Sequence, residues 1–413
     1  MHVFSTYAFK LNHGSAITKQ ALCTYYQFQI IRSCKYKMNI TQEFCLQAEI
    51  SYLNHAAVAP WPIRSKLAVQ QFAEENAQQG SLRYLEWLKI EVDLRAKLAQ
   101  LINAPSKDDI ALLKNTSEAL SIVAYGLDWQ QGDNVVISNQ EFPSNRIVWE
   151  SLQGKGVEVR QVDLANGDSP EVALIAATDN KTRLLSVSSV QYASGLRMNL
   201  EVLGAHCRKN NILFCVDAIQ SIGAVEFDVQ SIQADFVMAD GHKWMLGPEG
   251  LALFYCRPEL YDRLSLKQFG WHMIEHIGDF DRLDWQPAAS ARRFECGSPN
   301  MLSIHALHAS VSLLLEVGMS TVEAEVLKRS EATIAAVMDK DTLQLVTDSM
   351  PGRYAGIVSF RHHQCSSQSL YEDLLKKGVF CACRGDAIRL SPHFYTPLDK
   401  IYTAIALAAD ANP

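Results

Sequence analysis

Between positions 64 and 102 apolar residues return at intervals of three and four, as in "LEWLKIEVDLRAKLAQLI", which predicts amphipathic helices over 64–79 and 82–102. Further along, the period shortens. Six β-rich runs follow: "DNVVIS" (133–138), "VEVRQVDL" (157–164), "TRLLSVSSVQ" (182–191), "NILFCVDAIQ" (211–220), "ADFVMAD" (234–240) and "LALFYC" (251–256). Segments of helical period, among them "NRIVWESLQGKG" and "NLEVLGAHCRKN", separate several of these runs. Such alternation predicts an α/β fold: βαβ units with right-handed crossovers, in a mostly parallel sheet covered on both faces. Sheets of this kind bind ligands beyond the carboxyl ends of their strands.

After about residue 300 the texture changes to long helices over 301–317 and 319–338, then to a sparse α+β pattern containing "GIVSFRH" and "AIRLS". The expected organisation is a segment over 38–62, a large domain over 63–300 and a smaller C-terminal domain over 301–413. Residues 1–37 carry Lys10, Lys19, Arg32, Lys35 and Lys37 and no acidic residue; the first carboxylate is Glu43. This basic extension is expected to be disordered or not native, with a start at Met38; a targeting segment is the alternative.

Composition narrows the function. Of the 413 residues 48% are hydrophobic and 20% charged, as in an ordinary globular protein. A net charge of −7 gives no electrostatic reason to expect nucleic acid or an anionic membrane as partner, so a small molecule is the better default. No apolar run approaches the ~20 residues of a membrane-spanning helix. Ten irregularly spaced cysteines without a C-x-x-C pair fit a reducing compartment, the cytoplasm, better than a disulfide framework.

The strand ends carry the chemistry. "NILFCVDAIQS" delivers Asp217 at the end of an apolar strand, with Gln220 three residues on. A carboxylate there needs a cationic partner, because burial otherwise neutralises it. Taken alone it could be half of a structural ion pair. The next strand leads into "VMADGHKWMLGPEG" and Lys243. An isolated lysine would snorkel to solvent, but a sequestered lysine beside a buried aspartate is the pair that pyridoxal phosphate requires: one for a Schiff base, one for the pyridine nitrogen. "LLKNTSEAL" adds Asn115, Thr116 and Ser117 at a helix start, an anion site in keeping with a phosphate, or else an ordinary N-cap. Neither G-x-G-x-x-G nor a Walker loop is present.

From "YLNHAAVAP" at Tyr52 to "RLSPHFYTPLDKI" near Ile401 the chain resembles the class V aminotransferases, the cysteine desulfurase-like branch of fold type I pyridoxal phosphate enzymes; "VDAIQS", "DGHKWMLGPEG", "RFECGSPN" and "RLSPHFY" carry the likeness in order. The resemblance implies a seven-stranded large-domain sheet with a smaller α+β C-terminal domain, and pyridoxal 5'-phosphate as cofactor. Lys243 would bond to the cofactor, Asp217 hold its ring nitrogen and Gln220 its ring hydroxyl, while His242, Thr116 and Ser117 bind phosphate. In "QEFPSN", Phe142 takes the stacking position where desulfurases often have histidine. Arg389 would clamp the substrate carboxylate. His55 and Ala56 would line the substrate end, and Ser298 in "CGSPN" would reach the partner's phosphate across a homodimer.

Two departures stand out. Desulfurases carry an attacking cysteine on a loop ahead of the arginine strand, whereas "GVFCACRGDAIRLS" runs almost directly into Arg389, leaving only Cys381 or Cys383 as substitutes. Asp240 stands where relatives often place a phosphate-binding serine. The expected function is therefore an aminotransferase or lyase acting at Cα or Cβ of a small amino acid. A desulfurase or selenocysteine lyase with a non-standard thiol, or an epimerase, is the alternative. Outside enzymes stand an inactive scaffold and a zinc site built from His362, His363, Cys365, Cys381 and Cys383, whose spacing fits no standard motif.

Overall fold

The computed structural model describes residues 40–165 and 168–412. The basic extension over 1–37 lies outside the described residues.

A seven-stranded sheet organises the larger part. Its strands are β2 (Ile110–Leu113), β3 (Asn134–Ser138), β4 (Glu158–Val162), β5 (Thr182–Ser188), β6 (Leu213–Asp217), β7 (Phe236–Asp240) and β8 (Ala252–Cys256), in the spatial order β2-β8-β7-β6-β5-β3-β4; β1 (Ser51–Tyr52) lies elsewhere. All pairs are parallel except those of β8, which runs against both neighbours. Strand β2 escaped the sequence reading because "IALL" is four apolar residues without alternation, too short to carry a period.

Burial on both faces follows from the two-residue side-chain period. On β6, Phe214 and Val216 join the core beneath helices Tyr84–Leu101 and Leu200–Lys209. Leu213 and Cys215 join the opposite core, beneath helix Thr116–Gly126. Asp217 and, on β7, Asp240 continue the parity of that second set, so both strands end by aiming a carboxylate to the side where helix Thr116–Gly126 begins.

The smaller part is a four-stranded antiparallel sheet in the order β12-β13-β10-β9, from β9 (Leu343–Leu345), β10 (Val358–His362), β12 (Ala382–Arg384) and β13 (Ala387–Leu390). It is packed by helices Met319–Met338, Ser367–Lys376 and Leu398–Ala409. The segment before residue 63 also belongs here: β1 runs parallel to β11 (Val379–Phe380), and Leu53 sits in this core.

One boundary differs from the sequence expectation. Helix Met301–Val317 packs on helices Ile63–Gln79 and Tyr84–Leu101 and contributes Ile304, Leu307 and Val311 to the large core. The break falls at Gly318, where a positive φ separates it from helix Met319–Met338. Among the described residues no single helix is long and apolar enough to cross a membrane.

Trp244, fully buried, is the pin between the two parts. Its indole N–H donates to Gln220 Oε1 at 2.9 Å, and its carbonyl accepts from His393 Nε2 at 3.0 Å. Gly356, in the smaller part, presses on the ring so closely that a Cβ there would lie 2.2 Å from the indole. Gly356→Ala is therefore expected to cost about 1–3 kcal/mol in urea denaturation. Gly154→Ala, whose Cβ would meet nothing within 4 Å, should stay within about 0.5 kcal/mol of wild type.

Candidate active site

At the carboxyl ends of β6 and β7 lies a cavity of about 250 Å³ whose wall includes Asp217, Gln220, Asp240, His242, Lys243 and Arg389. A larger hollow of about 830 Å³ opens beside Arg197 and Arg353, but both cations there are satisfied, by Glu323 and Glu171. The smaller cavity is where reactive groups converge.

Asp217 is 2% exposed, and its Oδ1 accepts the Ile219 N–H at 3.1 Å. Burial raises its pKa, while the Lys243 charge opposes the rise. Lys243 is the complement: burial lowers its pKa, and the Asp217 charge props it up. Each keeps the other's charge from being prohibitive. The Phe142 ring stands 5.6 Å from Lys243 Nζ and meets Tyr192 edge-on at 5.2 Å.

Phe142 is held by its neighbour. The buried Glu141 carboxylate accepts from the Ser188 N–H at 3.0 Å, from Ser138 Oγ at 2.7 Å and from Asn145 Nδ2 at 2.8 Å, tying the loop after β3 to the end of β5. Glu141 has no place in the site itself. It entered the sequence reading only as the residue before Phe142, since a buried loop carboxylate leaves no periodic signal.

Part of the cavity wall is the start of a helix. Helix Thr116–Gly126 is capped by Asn115, whose Oδ1 accepts the Glu118 N–H at 2.8 Å. Thr116 Oγ1 and His242 Nδ1 are buried without hydrogen-bond partners, as is Arg389 Nε across the cavity. These groups are available to an occupant with acceptor atoms. Burial first, then the Lys243 charge, lowers the His242 pKa to about 4, so its imidazole is neutral.

Not every expected residue reaches the wall. Thr116, Phe142, Ala56 and Gln220 line it; Ser117 turns to Ser144 Oγ at 2.9 Å, and Ser144 lines the cavity in its place. Gln220 has both amide ends engaged, donating to the Ala56 carbonyl at 3.1 Å and accepting from Trp244. His55 stands behind the wall, its ring nitrogens 2.8 Å from the Ser391 carbonyl and 2.7 Å from Tyr395 Oη. Ser298 accepts from Trp271 Nε1 at 3.3 Å. Sequence reasoning missed Tyr192, whose carbonyl accepts from Arg389 at 2.7 Å, and Arg384, which also lines the cavity.

The substitute thiols are placed by register. Ala382 lies opposite Arg389 and Cys383 opposite Ile388, so Cys381 and Cys383 share the face of Ile388, which is core. Burial pushes the Cys381 thiol up to about 12. Neither cysteine lines the cavity. The zinc set does not assemble either: among the described residues the ligand atoms that converge belong to Glu91, His272 and Glu295, where Arg95 already donates to both carboxylates.

Asp240 accepts the Thr116 N–H at 3.2 Å and lies 3.9 Å from His242 Nδ1. Burial raises its pKa from 3.8 to about 6, with Lys243 and Thr116 opposing and Glu249 assisting. The native state therefore binds this proton more tightly than the unfolded chain. The stabilisation is complete below about pH 4 and is lost as pH rises through 6. Asn does not titrate, so the stability of Asp240→Asn relative to wild type, without ligand, should rise by at most about 3 kcal/mol between pH 4 and 6.5. Urea midpoints across that range check this, and a flat difference refutes it.

The Aminotransferase class-V family model matches residues 51–389. A probable cysteine desulfurase of Methanothermobacter thermautotrophicus is 31% identical over 88% of this chain and 95% of its own length. The uncharacterized aminotransferase YcbU of Bacillus subtilis is 30% identical over 82% of this chain and 88% of its own. In fold, the apo cysteine desulfurase of Thermococcus onnurineus NA1 superimposes with a TM-score of 0.80 at 24% identity, covering 91% of this chain and 97% of that one. With the sheet, the Asp217–Lys243 pair and these matches agreeing over most of the sequence, the chain belongs to the class V aminotransferase family of pyridoxal-phosphate-dependent enzymes.

Proposed function

We propose that this protein acts at Cα or Cβ of a small amino acid, by transamination or elimination. One observation carries the reading: Lys243, Asp217 and Arg389 meet in one cavity whose wall also offers Thr116 Oγ1 and His242 Nδ1, unpaired, to an anion. The residues fit pyridoxal phosphate. Thr116, His242 and the start of helix Thr116–Gly126 would hold its phosphate, Phe142 its ring face, Asp217 its ring nitrogen and Lys243 its aldehyde carbon. When bound, the cofactor supplies an electron sink for bonds at the substrate's Cα.

The protein's own part is binding and proton transfer. Arg389 has no carboxylate partner among the described residues; it donates to the Tyr192 carbonyl and, at 3.5 Å, to Asn54 Oδ1, and its Nε is left unpaired to help orient a substrate carboxylate. Lys243, with its pKa lowered by burial, reaches the neutral amine form closer to neutrality than a solvated lysine, as a base for the Cα proton must. Phe142 and Tyr192 line the reacting region with an edge-on ring pair. Relatives are named cysteine desulfurases, but the core-facing Cys381 and Cys383 leave this hairpin without a thiol aimed at substrate. This favours chemistry without an attacking cysteine.

The same reading includes a homodimer in the cytoplasm. Phe269, Phe280, Leu283 and Trp285 are exposed along one segment near Ser298, an apolar surface suited to a second copy. The described cysteines are all free, which suits a reducing compartment.

Wild type supplied with pyridoxal phosphate should absorb at about 420 nm, and Lys243→Ala should not. A cofactor-supplemented wild type without the band refutes the reading. Sedimentation is expected at twice the monomer mass, and Leu283→Asp should shift the protein toward monomer.

A further inference from the structure

The cavity carries one more cation than the chemistry above uses. Arg384 ends β12, and the chain returns into β13 through Gly385 and Asp386, both with left-handed φ (56° and 57°), a tight two-residue turn. Arg384 pairs opposite Ala387 and Ala382 opposite Arg389, so both arginines project from one face of the hairpin, as diagonal neighbours with Cβ atoms on the order of 7–8 Å apart. The turn is fixed in place. The Asp386 carbonyl accepts from Arg361 Nε at 2.8 Å and from Ser367 Oγ at 2.9 Å, and a Cβ on Gly385 would touch Ala193 at 3.4 Å.

Arg384 is close enough for its charge to lower the pKa of both Lys243 and Arg389. Its own hydrogen bond runs to the Cys383 carbonyl at 2.8 Å, and among the described residues no carboxylate is paired with it. Of the wall's carboxylates, Asp217 and Asp240 act on Lys243, and Glu249 forms no ion pair with Arg384. Arg384 is exposed and Arg389 buried, and because both project from one face of the hairpin toward the cavity, a ligand bearing two anions can meet both guanidiniums.

We propose that Arg384 is a specificity-determining residue that binds a carboxylate on the substrate's side chain, so that the substrate is a short acidic amino acid. This rests on the reading above, in which Arg389 takes the α-carboxylate. The diagonal spacing of the two arginines on adjacent strands suits a ligand whose two carboxylates are only a few bonds apart.

The test uses holoenzyme and amino acids that have no Cα proton to lose: 2-methylaspartate and 2-methylglutamate, each against its side-chain amide, with 2-methylalanine as reference. Dissociation constants are read by calorimetry and by the change in cofactor absorbance. An acid should bind about ten- to a hundredfold more tightly than its amide, the range for a charge-assisted pair. Arg384→Gln should abolish that preference, Arg384→Lys should retain part of it, and the affinity for 2-methylalanine should change less than about twofold in either. Equal affinities of acid and amide in wild type, or a preference that survives Arg384→Gln, overturn the inference. A wild type without the 420 nm band overturns the underlying reading instead, so the two failures are distinguishable.

Discussion

Everything at the site follows from placing opposite charges at the ends of adjacent strands. A carboxylate on β6 and an ammonium just beyond β7 are both removed from water, and the charge of each opposes the neutralisation that burial favours in the other. The β6–β7 pairing fixes the distance between the strands, and the side-chain period fixes the face. Trp244, wedged between Gln220 and Gly356, holds the lysine's backbone in register with the smaller part.

The larger architecture was legible because its signals are periodic. Helices Met301–Val317 and Met319–Met338 came out residue for residue, and the β-rich runs located six of the seven strands of the large sheet, five of them buried. What failed were features without period: the four-residue β2, and the assignment of helix Met301–Val317, since amphipathic spacing tells which face is buried but not against what. At the site, Asp217 and Lys243 were named because motif and strand end coincide, Thr116 because it opens a helix, and Phe142 and Arg389 through the family resemblance. Ser144 replaced Ser117 on the wall, and His55 moved behind it, because which of two neighbours faces a cavity depends on helix phase and loop path. Tyr192 acts through its carbonyl, which no side-chain motif encodes.

The β12–β13 hairpin shows how register decides chemistry. A two-residue turn leaves no slack, so alternate residues are committed to opposite sides: thiols to the core, guanidiniums to the cavity. A slip of one residue would exchange them, and the left-handed pair Gly385 and Asp386 guards against that slip. The same scaffold thereby trades a soft nucleophile for a hard cation without altering its sheet.

The short segment ahead of the first helix is hydrogen-bonded at both ends. Its β1 end is laced to β11 of the smaller part, and the Ala59 N–H donates to the His242 carbonyl at 2.8 Å in the larger one. Between these anchors the Ala56 N–H takes Ser391 Oγ at 3.0 Å and the Ala56 carbonyl takes Gln220. Such a stay cable resists separation of the two halves without blocking rotation about its own line. Residues remote in sequence from both Lys243 and Arg389 thus help to hold the cavity's two sides together.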